Sequence, residues 1–387
     1  MRILLFPNSY LPCFGGLQTV VHLLAKELLR CGNIVQVITN RYPFYLSNKD
    51  KIDKIPIQRY LFLYPNFNDI KRGRIDLFFA SLYFFPYNIF NLIRLFKSFQ
   101  PDIVNVHFPD NQIPFILYLR KRFKFRIVVS LHGDEIERWF YDYPPIGHTS
   151  KQKLKALRLI LKKADAVTAC SGYLLKKAIQ LEPSIAGKGF VIYNGIDLIA
   201  RESTTPFIHQ RPYIFSYGRF TYKKGFDILL KAFAQLIQEC PEVDLILAGD
   251  GQEKKNLEQL ANKLDLQNRV IFYGYAGQEK IRQLLTGCQF VVVPSRLEPF
   301  GMVILEAMAL GKAVVATRSG GPQEIIEDGI SGLLIEKENT KALAKAIIRL
   351  LKDIDLRNNI SIKAKERVKS FSAKNMAEQY LKVYKLN

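Results

Sequence analysis

Residues 2–40 read RILLFPNSYLPCFGGLQTVVHLLAKELLRCGNIVQVITN, and their pattern decides the fold class. Residues 3–6 are a short apolar run suited to a buried parallel strand, and Pro7 to Gly16 make a turn-rich loop ending in Gly15-Gly16. Leu17, Val20, Val21, Leu24, Ala25 and Leu28 then recur at helical spacing until Gly32, and residues 34–38 are apolar again. Strand, glycine loop, helix and strand together open a βαβ unit. The same order returns about 210 residues later. Residues 213–217 suit a strand, Gly218 to Gly225 a loop, and Phe226, Leu229, Leu230, Phe233 and Leu236 a helix closed by Pro241. A strand at 245–248 follows, ending on Gly249-Asp250-Gly251. Further apolar runs lie at 103–106, 127–131, 166–169, 190–192, 270–272, 290–293, 313–316 and 332–335. Near-continuous apolar strands alternating with helices predict an α/β protein with parallel sheets covered on both faces. Two doubly wound domains are expected, residues 1–200 and 201–370. Their boundary falls in the polar stretch 199–211, which holds Pro206 but no periodicity.

Composition narrows the function. The 387 residues are 48% hydrophobic and 24% charged, which excludes wholesale disorder and collagen-like repeats. Lys and Arg number 56 against 35 Asp and Glu, a net charge of +21. Residues 1–200 hold 28 basic and 14 acidic residues, net +14; residues 201–387 hold 28 and 21, net +7. The first half is thus expected to meet an anionic partner. Cys13, Cys31, Cys170, Cys240 and Cys288 are dispersed without a C-x-x-C pair, as expected of buried thiols in a reducing compartment. No uninterrupted apolar run of about 20 residues predicts a spanning helix. The opening run is too short for a signal peptide, so a cytoplasmic protein is expected, soluble or peripheral on the inner face of the cell membrane.

In doubly wound folds the loops at the carboxyl ends of strands carry the chemistry. Residues 292–309, VVPSRLEPFGMVILEAMA, run from a buried strand through a polar loop into a helix starting near Gly301. Glu306 shares a helical face with Met302 and Leu310, an apolar stripe on which a carboxylate needs a partner. Such a carboxylate can accept both hydroxyls of a ribose, and the N–H groups of Gly301, Met302 and Val303 could hold a phosphate or sugar oxygen. Glu298 stands in the loop ahead. Taken singly, either glutamate reads as an ordinary solvated residue. The second loop, GRFTYKKG at 218–225, places Arg219 and Lys224 before a helix N-terminus, where two cations can neutralise a diphosphate. Alone, it reads equally well as a basic surface loop.

The pair Glu298 and Glu306 with seven residues between, the 218–225 loop and Gly15-Gly16 resemble glycosyltransferase family 4. So do Asn194-Gly195-Ile196-Asp197, Gly249-Asp250-Gly251 and Gly320-Gly321-Pro322 with Glu324. The resemblance runs from residue 2 to about 380 in the family's order. It implies the GT-B architecture, two facing Rossmann-like domains with an interdomain cleft: an acceptor-side domain first, a nucleotide-sugar-binding domain second. Residues 371–387 would form a terminal helix crossing back to the first. It also implies a retaining hexosyltransferase that needs no metal and no cofactor beyond its donor substrate, a nucleotide-diphosphate sugar. Arg219 and Lys224 would clamp the diphosphate, and Glu306 would hold the ribose. Glu298 would hold donor-sugar hydroxyls beside the backbone of Phe300, Gly301, Met302 and Val303. Gly15 and Gly16 would admit the phosphates, and His132, in Leu131-His132-Gly133-Asp134-Glu135, would contact the donor and shape the acceptor side. Retention is expected through attack on the leaving-group face, the departing phosphate oxygen taking the acceptor proton. Asn33 stands where many members have His, and the segment at 371–374 lacks their tryptophan.

Residues 77–93 carry no charge and hold Phe78, Phe79, Tyr83, Phe84, Phe85, Tyr87 and Phe90. Basic clusters lie nearby at 71–74 and 120–126, and residues 151–163 add six more cations. Aromatics beside cations suit an anionic membrane face, as peripheral attachment to a glycan or lipid-linked acceptor in cell-envelope polysaccharide or glycolipid synthesis would need. They suit a core beside a solvated basic face equally well. Other classes fit less. Neither first loop has G-x-G-x-x-G, and Gly311-Lys312-Ala313 fails the phosphate-loop pattern. Asp353-Ile354-Asp355 spells a metal-binding D-x-D but sits in a Lys- and Leu-rich helical stretch, read as solvated surface. A basic nucleic-acid-binding protein would lack any recognised motif. A sugar-nucleotide epimerase of similar fold is the nearest rival enzyme; transfer to an added acceptor separates the two.

Overall fold

The computed structural model describes residues 1–13, 15–65, 73–141, 151–198 and 204–386. These divide into two units, Met1–Gly195 with Ala373–Asn387, and Ile196–Ser372. The expected boundary at residue 200 lies outside the described residues.

The first unit is an eight-stranded sheet. Its strands are β1 (Arg2–Pro7), β2 (Ile34–Asn40), β3 (Lys49–Ile52), β4 (Ile55–Tyr60), β5 (Ile103–His107), β6 (Arg126–Leu131), β7 (Ala166–Ala169) and β8 (Gly189–Val191). They lie in the order β3-β4-β2-β1-β5-β6-β7-β8, all parallel except β3 against β4. Its helices are α1 (Gly16–Arg30), α2 (Ile75–Phe99), α3 (Ile113–Arg120), the single turn α4 (Asp134–Glu137), α5 (Lys151–Lys163) and α6 (Gly172–Leu181). The expected strands of this unit are all present, and β1, β2, β5 and β6 are buried through their centres, as strands covered on both faces must be.

The β3–β4 hairpin was not foreseen. Its two-residue turn, Asp53-Lys54, has φ of 47° and 66°, the paired left-handed geometry usually signalled by Asn-Gly. Here contacts stand in for composition: Asp53 lies 3.0 Å from His22 Nε2 and 3.3 Å from Lys26 Nζ on α1. Cys31 is exposed and Cys13 half-buried, so the expectation of buried thiols holds only for Cys170, Cys240 and Cys288.

The second unit is a six-stranded, wholly parallel sheet. It comprises β9 (Tyr213–Tyr217), β10 (Asp244–Ala248), β11 (Val270–Gly274), β12 (Val291–Val293), β13 (Val314–Thr317) and β14 (Leu333–Ile335), ordered β11-β10-β9-β12-β13-β14. Helices α7 (Phe226–Leu236), α8 (Lys254–Lys263), α9 (Gln278–Gly287), α10 (Met302–Ala309), α11 (Pro322–Ile325), α12 (Thr340–Lys352) and α13 (Ile354–Arg367) connect and cover them. Helix α7 buries Phe226, Leu229, Leu230, Phe233 and Leu236 against the cluster that includes Leu343, Ile347 and Leu350 of α12. Each such side chain contributes about 1.5–3 kcal/mol of burial. Asp353 ends α12 and caps α13, its carboxylate accepting the Leu356 N–H at 2.9 Å, which accounts for the first aspartate of the D-x-D.

The last helix, α14 (Ala373–Tyr384), belongs to the first unit. Its Tyr380 hydroxyl donates to Ser130 Oγ at 3.1 Å, and Asn105 Nδ2 donates to the Tyr384 hydroxyl at 2.6 Å. Ser130 and Thr168 complete a buried polar strip across β5, β6 and β7 with bonds of 2.8 Å. That strip satisfies polar side chains which β strands buried on both faces would otherwise leave unpaired.

Candidate functional site

In the second unit the chain moves from β9 outward to β10 and from β12 outward to β13, so β9 and β12 flank a topological switch point. The loops after them diverge there and leave a crevice at the carboxyl ends. These are the loops that hold Lys224 and Glu298. Backbone bonds tie them together: the N–H groups of Arg296 and Leu297 donate to the Lys223 carbonyl at 2.8 and 3.2 Å. Gly225 makes the approach possible. Its φ is 66°, and a Cβ there would lie 2.1 Å from the Pro294 carbonyl oxygen.

Across this junction Lys224 Nζ lies 2.5 Å from Glu298 Oε2, and both side chains are largely buried. The Ser295 hydroxyl adds a longer contact to the same oxygen at 3.4 Å. Glu298 is held by its backbone as well: its N–H donates to Ser319 O at 3.1 Å, and Gly321 N–H donates to its carbonyl at 2.8 Å. Arg296 fastens the two loops from behind. Its guanidinium forms a two-bond fork on Asp227 (2.6 and 2.8 Å), reaches Glu338 at 2.5 Å and lies 4.0 Å over the Tyr222 ring. Burial would lower the Arg296 pKa, but its bonds to Asp227 and Glu338 outweigh burial and raise it. Burial likewise works to raise the Asp227 carboxyl, and Arg296 and Lys231 hold it below its ordinary value.

Glu306 lies half-buried on α10, and the partner its apolar face demanded is Tyr217 of β9, whose hydroxyl donates to Glu306 Oε2. Gly301, with φ 119°, precedes α10 and supplies no side-chain cap. The first amides of α10, at Met302 and Val303, therefore have no helical acceptor. Phe300 is buried, its ring 6.1 Å from that of Phe371. Arg219 stands exposed on the β9 loop. The structure thus joins Lys224 to Glu298, ties Glu306 to the end of β9, and leaves Arg219 at the loop surface.

In the first unit the corresponding switch point lies between β1 and β5. Gly15 and Gly16 stand at the start of α1 after the β1 loop. Gly15 has extended backbone that any residue adopts, and a Cβ there would meet only the tip of the flexible Gln18 side chain. Local geometry therefore does not demand glycine at 15. His132 follows β6, its Nε2 3.1 Å from Nδ1 of His107, the last residue of β5. Burial pushes His132 down to about 3 and His107 well below the ordinary value, so both are neutral at pH 7. The facing nitrogens share one proton, and His132 Nδ1 and His107 Nε2 remain buried without a hydrogen-bond partner. Glu135 closes the loop, its carboxylate accepting the N–H groups of His132 and, at 3.1 Å, Gly133. Burial pushes its pKa up to about 7.

Sequence reasoning missed His107, Tyr217 and Arg296. The first two had a signal, since each sits at the carboxyl end of a strand beside a switch point. Arg296 had none, because Asp227 and Glu338 come to it from 69 and 42 residues away in the chain. Among the described residues, no three His, Cys, Asp or Glu side chains are grouped to hold a metal ion.

Comparison with known proteins bears on the family and the fold. The sequence model described as Glycosyltransferase Family 4 matches residues 14–199, and that described as Glycosyl transferases group 1 matches residues 201–367. The chain is 28% identical to N-acetyl-alpha-D-glucosaminyl L-malate synthase of Bacillus anthracis over 393 residues, 96% of this chain and 94% of that protein. It is 39% identical to the lipopolysaccharide core biosynthesis glycosyltransferase LpsE of Rhizobium meliloti over 209 residues, 54% of this chain and 58% of LpsE. Among solved structures, sucrose-phosphate synthase from Thermosynechococcus elongatus superposes with a TM-score of 0.81 at 22% identity, covering 99% of this chain and 98% of that one. Anabaena Alr3699/HepE in complex with UDP-glucose gives 0.73 at 23% identity, covering 98% of each chain.

Proposed function

The chain is a glycosyltransferase, a member of the group 1 glycosyl transferases of family 4, and we propose that it moves a hexosyl group with retention from a nucleotide-diphosphate sugar to a glycan or lipid-linked acceptor. The observation that carries this reading is the 2.5 Å contact of Lys224 with Glu298 at the β9/β12 switch point. It sets a cation for the diphosphate beside a carboxylate for the sugar. Glu306, steadied by Tyr217, takes the ribose hydroxyls, and the first amides of α10 take a phosphate or sugar oxygen. The UDP and UDP-glucose complexes of the Anabaena protein support a nucleotide-sugar donor. The likeness to LpsE supports an envelope-glycan acceptor, which the enzyme would reach peripherally at the cytoplasmic, anionic face of a membrane.

In the proposed step the bond from the sugar anomeric carbon to the β-phosphate oxygen breaks. The acceptor oxygen bonds that carbon from the same face, and the acceptor proton passes to the departing phosphate oxygen. Negative charge grows on the diphosphate, so Lys224, Arg219 and the α10 amides stabilise the transition state more than the bound donor. Two cations and a helix N-terminus suffice for that charge, and no divalent metal is required.

Calorimetry separates the two glutamates. Glu306→Ala should weaken a nucleoside diphosphate and its nucleotide sugar alike, because the ribose belongs to both. Glu298→Ala should affect the nucleotide sugar more than the free nucleoside diphosphate. The reverse pattern would exchange the two roles. Transfer that stops in EDTA and returns only with added Mg²⁺ or Mn²⁺ would overturn the metal-free reading, and NMR of the product would settle its anomeric configuration.

A further inference from the structure

Helix α2 carries apolar side chains on both its buried and its exposed face, unlike a helix with one face in water. It buries Ser81 and Asn88 along with Ile89, Leu92, Leu95 and Phe96. The inward polar groups are satisfied locally: the Ser81 hydroxyl donates to Phe78 O at 2.6 Å, and Asn88 Nδ2 donates to Leu61 O at 2.5 Å. The outer face carries Phe79, Tyr83, Tyr87 and Phe90, which are 63%, 66%, 49% and 60% exposed. Their spacing of four, four and three residues sets them in one stripe, with exposed Ile75 and Leu82 beside it. An apolar stripe this long on a soluble surface marks an interaction site.

The charges around the stripe identify what covers it. The one acidic residue of the helix is Asp76 in its first turn, paired with Arg74 at 3.6 Å, and the stripe runs on into the exposed cations Arg94 and Lys97. The Arg94 guanidinium sits 5.8 Å over the Phe90 ring. On the buried face at the same end, Phe96 packs on Phe123 and Phe125, with ring centroids 5.5 and 5.2 Å apart. Aromatic rings bordered by cations match a lipid interface with anionic headgroups. A second copy of the chain is a poor occupant, since both copies carry +21. No helix of the described residues is long and apolar enough to cross a membrane, and the buried inner face of α2 would hold it in the interface plane.

We propose that the outer face of α2 is the surface by which the first unit docks on an anionic lipid bilayer, Phe79, Tyr83, Tyr87 and Phe90 entering the headgroup region while Arg94 and Lys97 meet lipid phosphates. This rests on the reading that the enzyme serves an acceptor at a membrane face, and it names the element that docks. Within residues 120–126 the exposed cations are Lys121, Arg122 and Lys124. Arg120 is spent on Asp165 at 3.3 Å and on the Phe125 carbonyl, and Arg126 on the Tyr384 carbonyl at 3.1 Å. Lys71 and Arg72, of the cluster at 71–74, lie outside the described residues.

The test is co-sedimentation of the full chain with vesicles of phosphatidylcholine containing roughly a third phosphatidylglycerol, and with pure phosphatidylcholine, without donor. The full chain should bind only the anionic vesicles, and high salt should weaken that binding without abolishing it. Phe79→Ser, Tyr83→Ser, Tyr87→Ser and Phe90→Ser together should lower the partition coefficient more than tenfold. Arg94→Gln with Lys97→Gln should remove part of the salt sensitivity. Unchanged melting and unchanged UDP binding would show that the variants fold. Undiminished vesicle binding by the quadruple variant would overturn the proposal, as would equal binding to neutral vesicles. Lipid-free self-association abolished by the quadruple variant would assign the stripe to a second copy instead. Since UDP binding is measured without lipid and docking without donor, failure of one reading is distinguishable from failure of the other.

Discussion

Replacing Lys224 by Met removes one partner of the 2.5 Å pair and leaves the Glu298 carboxylate, only 9% exposed, without its cation. Two unit charges about 4 Å apart interact by roughly 4 kcal/mol at an effective dielectric near 20. The Lys224 side chain is 21% exposed, so water screens part of this. A stability loss of about 1–3 kcal/mol is expected, below the full cost of breaking a deeply buried pair. Activity should fall further, because the same ammonium is asked to meet charge growing on the leaving diphosphate. Donor turnover should drop more than tenfold, about 1.4 kcal/mol of barrier. Lys224→Met combined with Glu298→Gln tells the two effects apart. With no unpaired charge left, the double variant should regain most of the lost stability while remaining inactive. Urea unfolding and release of nucleoside diphosphate are the two assays. Additive stability losses would show that the pair is loosely coupled, and full turnover by Lys224→Met would remove Lys224 from the transfer step.

Arg296 should act only through the loops it fastens. Arg296→Lys keeps the charge but loses the fork on Asp227, so kcat should fall several-fold more than donor affinity, and Arg296→Ala should be worse in both; equal activity in the three proteins would dismiss the positioning role. The pH dependence of stability follows from the loop after β6. His132 and His107 have depressed pKa values, so they contribute stability above about pH 6.5 that is lost as pH falls toward 3. Glu135, raised from 4.5 to about 7, has the opposite sign and costs stability as pH rises through that interval. Relative to the parent protein, Glu135→Gln should therefore gain about 3 kcal/mol between pH 4.5 and 8 in urea unfolding, and a flat difference would show that Glu135 stays ionised throughout.

The parts legible in the sequence were those written in short segments. Most of the parallel strands are short, largely apolar runs, such as residues 3–6 of β1 and 291–293 of β12, and burial on both faces is what makes them so. Lys224 and Glu298 stand in the loops that follow two such runs and Glu306 in the helix after the second, so all three could be picked out. The β3–β4 hairpin could not, because its I′ turn is Asp53-Lys54 and is stabilised by His22 and Lys26 on another element. Residues 77–93 were ambiguous for a different reason. An aromatic run reads the same whether it faces a core or solvent, and the burial of Asn88, Ile89 and Leu92 against the exposure of Phe79, Tyr83, Tyr87 and Phe90 shows which way the helix is turned.

The same distinction explains why the Glu298 carboxylate could be named from sequence while its support could not. Glu298 is one residue in a loop, but its position is fixed by four separate segments. Lys224 approaches from the β9 loop, Ser319 and Gly321 grip its backbone from the β13 loop, and Arg296 draws Asp227 of α7 and Glu338 toward the same junction. Gly225 and Gly321 permit the closest of these approaches, since a Cβ at either would collide with backbone. In the proposed role, a carboxylate so held would lose little freedom when a sugar hydroxyl arrives, and preorganisation of that kind lets a few polar groups discriminate a transition state from a bound substrate. Positioning of this kind depends on contacts between segments far apart in the chain, so it becomes visible only once the fold has brought them together.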